Sequence, residues 1–232
     1  MSTLLRVEGC WTRFHPGGST FTVMKTFFFV ASVVVASAHL ASAQTPTTPA
    51  PALTVEQQIA SAVLPLPEDQ RATATVMGYG ADGKPNVTLR KGTSNVVCTA
   101  DRPGDNTFYV NCFHEAILRL LNRSVELSAE LKAPGNSPAV NQAIEKEIKD
   151  GKFTLPSQVT MGFQMRGPLS GYDPKTNSTT SAINNWQMVI MPHTTGAALG
   201  LPTEPKGSMP WVMDSGTWIS HVMVQHAPEA TR

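Results

Sequence analysis

The chain has 232 residues, of which 41% are hydrophobic and 15% charged, with a formal net charge of +1. Arg6, Arg13, Lys25 and Glu8 fall within the first 43 residues, which leaves 15 basic and 16 acidic residues for the remainder. That balance, with no basic stripe and no run of like charge, argues against a nucleic-acid partner, and the length suffices for one domain with a real core.

Residues 1–43 read as a presequence, with a signal peptide over 24–43. Met24-Lys25 is its basic start, residues 26–38 (TFFFVASVVVASA) its apolar run, and Ala41-Ser42-Ala43 a small-x-small site before Gln44. The run is well short of the ~20 residues of a spanning helix. The expectation is cleavage after Ala43, export to the periplasm or beyond, and no stable membrane span afterwards. Residues 1–23 carry no helical or strand period, and translation from Met24 is the simplest account of them. Residues 44–53 (QTPTTPAPAL) form a flexible Pro/Thr-rich linker. Residues 54–228 make a single α+β domain.

Thr54-Val55-Glu56-Gln57 has the capping-box layout and starts a helix with Ile59, Ala60 and Val63 on its apolar face, stopped by Pro65 and Pro67. Residues 74–80 and 87–90 flank Ala81-Asp82-Gly83-Lys84, and Asp-Gly between β-prone runs predicts a hairpin. Residues 95–99 make a third strand carrying Cys98, and residues 108–110 a strand running to Cys112 after a turn at 101–106. The stretch 114–132 is helical, with Ile117, Leu118, Leu121 and Val125 repeating at three and four. Ser137 caps a second helix with Pro138 in its first position; Val140, Ala143, Ile144 and Ile148 form its buried face, Glu145 and Lys149 pair on the other side, and Gly151 ends it. Strands are expected at 159–165, 186–191, 211–213 and 219–224, separated by polar loops at 168–182 and 194–209. The predicted architecture is a mostly antiparallel sheet with a two-helix insertion and one disulfide pinning the first sheet edge.

Cys10 lies in the presequence. Cys98 and Cys112, an even pair in an exported chain, are expected to bond. A loop of that length stabilises by about 3 kcal/mol in the chain-entropy treatment. The spacing is not that of a Cys-x-x-Cys redox or metal pair.

No motif with dedicated chemistry stands out. There is no Gly-x-Ser-x-Gly elbow, and His114-Glu115 lacks the second histidine of a helical zinc site, so the pair reads as the start of a helix. Asp101, Asp105, Asn106 and Asn111 offer calcium-compatible oxygens, without the spacing of an EF-hand loop. The segments 186–189 (WQMV) and 221–224 (HVMV) resemble each other, and period two puts the ring and the methionine on one face. His193, His221 and Met223 are therefore candidate ligands for copper, set against the plainer reading of the methionines as core filler. Trp186, Trp211 and Trp218 cluster late in the chain. They either line an apolar ligand groove or serve as large core rings. No cofactor is expected.

Gly92-Thr93-Ser94-Asn95-Val96-Val97-Cys98, the second cysteine at 112, and the ending Pro210-Trp211-Val212-Met213, Gly216-Thr217 and His221-Val222-Met223-Val224 resemble a group of small exported bacterial proteins of unknown function. The resemblance covers most of 70–225 and implies a bacterial source and an exported location, with no catalytic residue. Members often carry His-x-Met in the earlier strand as well. Trp186 holds that position here, which removes one ligand from a two-histidine metal site. The leading expectation is a non-enzymatic binding or envelope-associated module, with the Trp-bearing strands and the 192–209 loop as its surface. A copper-type metal-binding protein and an enzyme of unrecognised class are the alternatives.

Overall fold

The structure, a computed structural model, describes residues 53–80 and 82–226. The presequence, nearly all of the linker and the last residues of the chain lie outside the described residues.

The first helix, α1 (Val55–Ala62), begins as the sequence dictates. The Thr54 hydroxyl accepts from the Gln57 backbone N–H at 3.2 Å, and the Gln57 side chain accepts from the Thr54 N–H at 3.0 Å. A single turn, α2 (Glu68–Arg71), follows the two prolines. Strands β1 (Thr75–Gly78) and β2 (Val87–Arg90) pair antiparallel as the expected hairpin. Next, β3 (Val96–Thr99) and β4 (Thr107–His114) pair antiparallel with Cys98 opposite Cys112, and the disulfide between them has formed. Because β3 lies against β1 and β4, the bond sits inside the sheet order rather than at the first edge.

The pairing of β1 with β3 is parallel, the one departure from antiparallel order in the main sheet. Its cause is local. The chain leaves β2 and turns back across residues 73–75, where the Thr93 and Ser94 N–H groups both donate to the Thr73 carbonyl, at 2.8 and 3.0 Å. A Cβ on Gly92 would stand 2.2 Å from the Thr73 carbonyl oxygen, so only glycine admits this crossing.

Two helices follow β4. The 17-residue α3 (Glu115–Leu131) is capped by His114, whose Nδ1 accepts from the Ala116 N–H at 3.2 Å. Helix α4 (Pro138–Lys149) is capped by the Ser137 hydroxyl, with Pro138 first as predicted. Arg123 of α3 ties the pair together through Glu147 of α4, and also binds Glu126 and Glu130. The expected Glu145–Lys149 pair is replaced. Lys146 bonds Asp150, and Glu145 engages His193 from the far side of the chain.

The rest is sheet: β5 (Thr160–Pro168), a small hairpin of β6 (Tyr172–Asp173) and β7 (Ser178–Thr179) within the first polar loop, then β8 (Asn184–Ile190). A short turn, α5 (Gly196–Leu199), interrupts the second loop before β9 (Trp211–Met213) and β10 (His221–His226). The eight strands are ordered β2-β1-β3-β4-β5-β8-β10-β9. The outer edge of β9 is protected, because the Val212 N–H donates to the Pro202 carbonyl of that second loop at 2.8 Å.

Each face of the sheet is covered in part. On one face Val76, Cys98, Phe108, Val110, Cys112, Phe163 and Met165 are buried under α1 and the 169–183 segment. Phe108 stacks on Tyr172 there, with centroids 4.4 Å apart. On the other face Phe113, Met188, Ile190, Trp211 and Met223 pack against Ile117 and Leu118 of α3. The architecture is thus α+β, a mostly antiparallel sheet with a two-helix insertion and one disulfide.

Candidate functional site

Strand register sorts the helix-covered face into rows that run across the sheet. The row nearest the second loop is Thr160, Ile190, His221 and Met213. Next come Gly162, Met188, Met223 and Trp211. The third row is Thr99, Asn111, Gln164, Trp186 and Gln225. The fourth is Tyr109, Arg166 and Asn184. The first two rows are mainly apolar, and the last two are mostly polar with two aromatic rings. The same face therefore changes character along its strands, from apolar core to polar side chains that open toward solvent at Tyr109, Arg166 and Asn184, while Asn111 and Gln164 stay buried.

The open half contains a recess of about 280 Å³ lined by Gln164, Arg166, Gly167, Asn184 and Trp186. Its floor is organised by hydrogen bonds. The Tyr109 hydroxyl donates to Gln164 Oε1 at 3.2 Å, and Gln225 Nε2 donates to Asn184 Oδ1 at 3.4 Å. Arg166 places its guanidinium 5.7 Å from the centroid of the Tyr109 ring, within cation–π range. Among the described residues no carboxylate pairs with that guanidinium. Tyr109 is 39% exposed, and its hydroxyl is directed onto Gln164. Desolvation holds the phenol above its ordinary pKa, and the Arg166 charge and the Asn111 amide oppose that rise.

The three tryptophans singled out in the sequence separate. Trp186 is half-buried and lines the recess. Trp211 is buried in the second row, 6% exposed, against Met223. Trp218, 1% exposed, packs between α3 and α4 among Leu120, Leu127, Val140 and Ile144, with its indole N–H donating to Asn141 Oδ1 at 3.0 Å. The last two are core rings. The 192–209 loop follows the opposite end of β8 from Asn184 and Trp186, and so is not part of the recess.

The candidate metal ligands are engaged separately. His193 Nε2 lies 3.0 and 3.1 Å from the two carboxylate oxygens of Glu145. His221 and Met223 do share a face, opposite Met213 and Met188 respectively. His221 Nδ1 lies 2.7 Å from the Ile219 carbonyl, which can only accept, so Nδ1 carries the proton. Burial pushes the imidazole pKa down, and burial pushes that of its neighbour Asp214 up, each partly offset by the other. Among the described residues no three His, Cys, Asp or Glu side chains converge as a metal site. The loop oxygens near 101–111 serve the backbone: Asp101 accepts from the Tyr109 N–H and Asp105 from the Thr107 N–H, both at 2.8 Å. His114 and Glu115 form the start of α3, and Glu115 pairs with Arg119 one turn on.

Sequence reasoning singled out Trp186, which lines the recess, but not Tyr109, Gln164, Arg166 or Asn184. They are scattered over three strands, and only the register brings them side by side.

No protein family, curated protein or solved structure matches the chain.

Proposed function

We propose that this protein is an exported, non-enzymatic binding module whose ligand site is the recess at Trp186. One observation carries the reading. The sheet face that is sealed by α3 at Met188 and Met223 continues, two residues along the same strands, into a recess lined by a stacked arginine, two amides and an indole, with the Gln164 amide buried and the Trp186 ring half-buried. A half-buried tryptophan beside fixed hydrogen-bonding groups is the usual composition of a small-molecule site, in which the ring supplies contact area and the polar groups supply orientation. The disulfide supports export, since such bonds persist in oxidising compartments.

The test is a screen of water-soluble ring compounds against the full exported chain, read by amide and indole NMR shifts. Binders are expected to move Tyr109, Gln164, Arg166, Asn184 and the Trp186 indole together. Shifts confined to the 192–209 loop or to the His221 neighbourhood would contradict this site and favour a loop surface or a metal-type site.

A further inference from the structure

The recess has a chemical polarity of its own. Both amide oxygens on its floor already accept a hydrogen bond, Gln164 Oε1 from the Tyr109 hydroxyl and Asn184 Oδ1 from Gln225. That orientation leaves the amide nitrogens, Gln164 Nε2 and Asn184 Nδ2, with no protein acceptor among the described residues. Arg166 adds a guanidinium, which has donors only. It has no carboxylate partner among the described residues and is held by the Tyr109 ring rather than by an ion pair. The groups with no bond yet made are therefore chiefly donors, carrying one full positive charge, and they stand beside the flat apolar surface of Trp186.

We infer that the recess takes a small ring compound bearing a single carboxylate, with the ring against Trp186 and the carboxylate on Arg166 and the two amide N–H₂ groups. This inference rests on the binding reading above. A planar guanidinium matches a carboxylate in two parallel hydrogen bonds, a geometry that lysine cannot copy. A neutral ligand leaves that charge without a counter-charge, and a dianion exceeds it. A volume of about 280 Å³ admits one such ring and not an oligomer. Two kinds of compound share this chemistry: a hexuronic acid, whose C–H face lies on an indole, and an aromatic carboxylate, whose ring stacks on it.

Calorimetric titration of the full exported chain, with the Trp186 indole followed by NMR, separates them. The probes are glucuronate and benzoate, with glucose and benzamide as their neutral counterparts. The charged member of at least one pair is expected to bind tenfold or more tighter than its neutral partner and to shift the Trp186 indole. Glucuronate alone responding identifies the sugar acid, and benzoate alone the aromatic acid; either supports the inference. Arg166→Gln should abolish the preference for charge, and Arg166→Lys, which keeps the charge and the fold, should weaken it several-fold. If a neutral probe binds as well as its carboxylate while shifting Trp186, the carboxylate inference fails and the binding site stands. If no probe shifts Trp186, both fall.

Discussion

Asp101 shows how a single residue sets a pH dependence. It is buried, it accepts from the Tyr109 N–H at 2.8 Å, and Asp105 lies close enough to repel it. Desolvation, the largest cause, raises its pKa to about 7 against a partial opposing effect of the Tyr109 hydrogen bond. A carboxyl with a raised native pKa binds its proton more tightly when folded. Its contribution is present at low pH and is lost as pH rises from the unfolded value near 4 to the folded value near 7. Asp101→Asn keeps the acceptor for Tyr109 and removes the charge. Chemical denaturation at pH 5 and pH 8 should show the wild type losing on the order of 1–4 kcal/mol more than the variant over that interval. Equal losses in both proteins would show that Asp101 is not held neutral by the fold. At this scale the sequence was a good guide where a residue acts on its immediate neighbours. Thr54 and Ser137 cap their helices and Pro138 opens its helix as their identities predict, because helix starts are settled within three or four residues. Asp101 was legible as a turn residue with a calcium-compatible oxygen, not as a buried carboxyl, since its burial depends on distant strands.

At the scale of elements, the helix-covered face depends on one missing side chain. Phe113 of β4 lies over Gly162 of β5, where an added Cβ would come within 2.7 and 2.9 Å of the ring and 3.2 Å of the Met188 methyl. The bare glycine lets the ring lie flat between the sheet and α3, beside Ile117 and Leu118. Gly162→Ala must push Phe113 outward and is expected to cost about 1–3 kcal/mol, measurable as a lower denaturation midpoint. An unchanged midpoint would mean that the ring has room the packing does not show. The alternation of Trp186, Met188 and Ile190 was readable from a period of two. Where the helix pair stops along those strands was not, because the end of its cover is decided by how α3 leaves β4. For the same reason the parallel β1–β3 pair escaped the sequence. A glycine at 92 reads as an ordinary turn until the backbone it must cross is known.

The whole molecule is a sheet whose two faces are each covered over only part of their extent, one by α1 and the 169–183 segment and the other by α3. The eight-strand order brings β4, β5, β8 and β10 together although an insertion and two loops separate them in the chain. That order creates the recess, and no local signal marks it. Tyr109, Gln164, Arg166 and Asn184 each look like routine strand polars, and only Trp186 drew attention alone. The Gly92, Pro210-Trp211-Val212-Met213 and His221-Val222-Met223-Val224 motifs find structural roles instead, in the crossing beside Thr73 and in the rows packed under α3. The central claim is therefore a division of one face into a sealed half and an open half, with Trp186 on the open side and Trp211 and Trp218 sealed. Acrylamide quenching of tryptophan fluorescence tests it most directly, in a Trp11→Phe background with and without Trp186→Phe. The account predicts that removing Trp186 abolishes nearly all of the quenchable emission and leaves a blue-shifted, protected remainder. If quenching persists unchanged without Trp186, the exposed ring is Trp211 or Trp218, and the division of the face is contradicted.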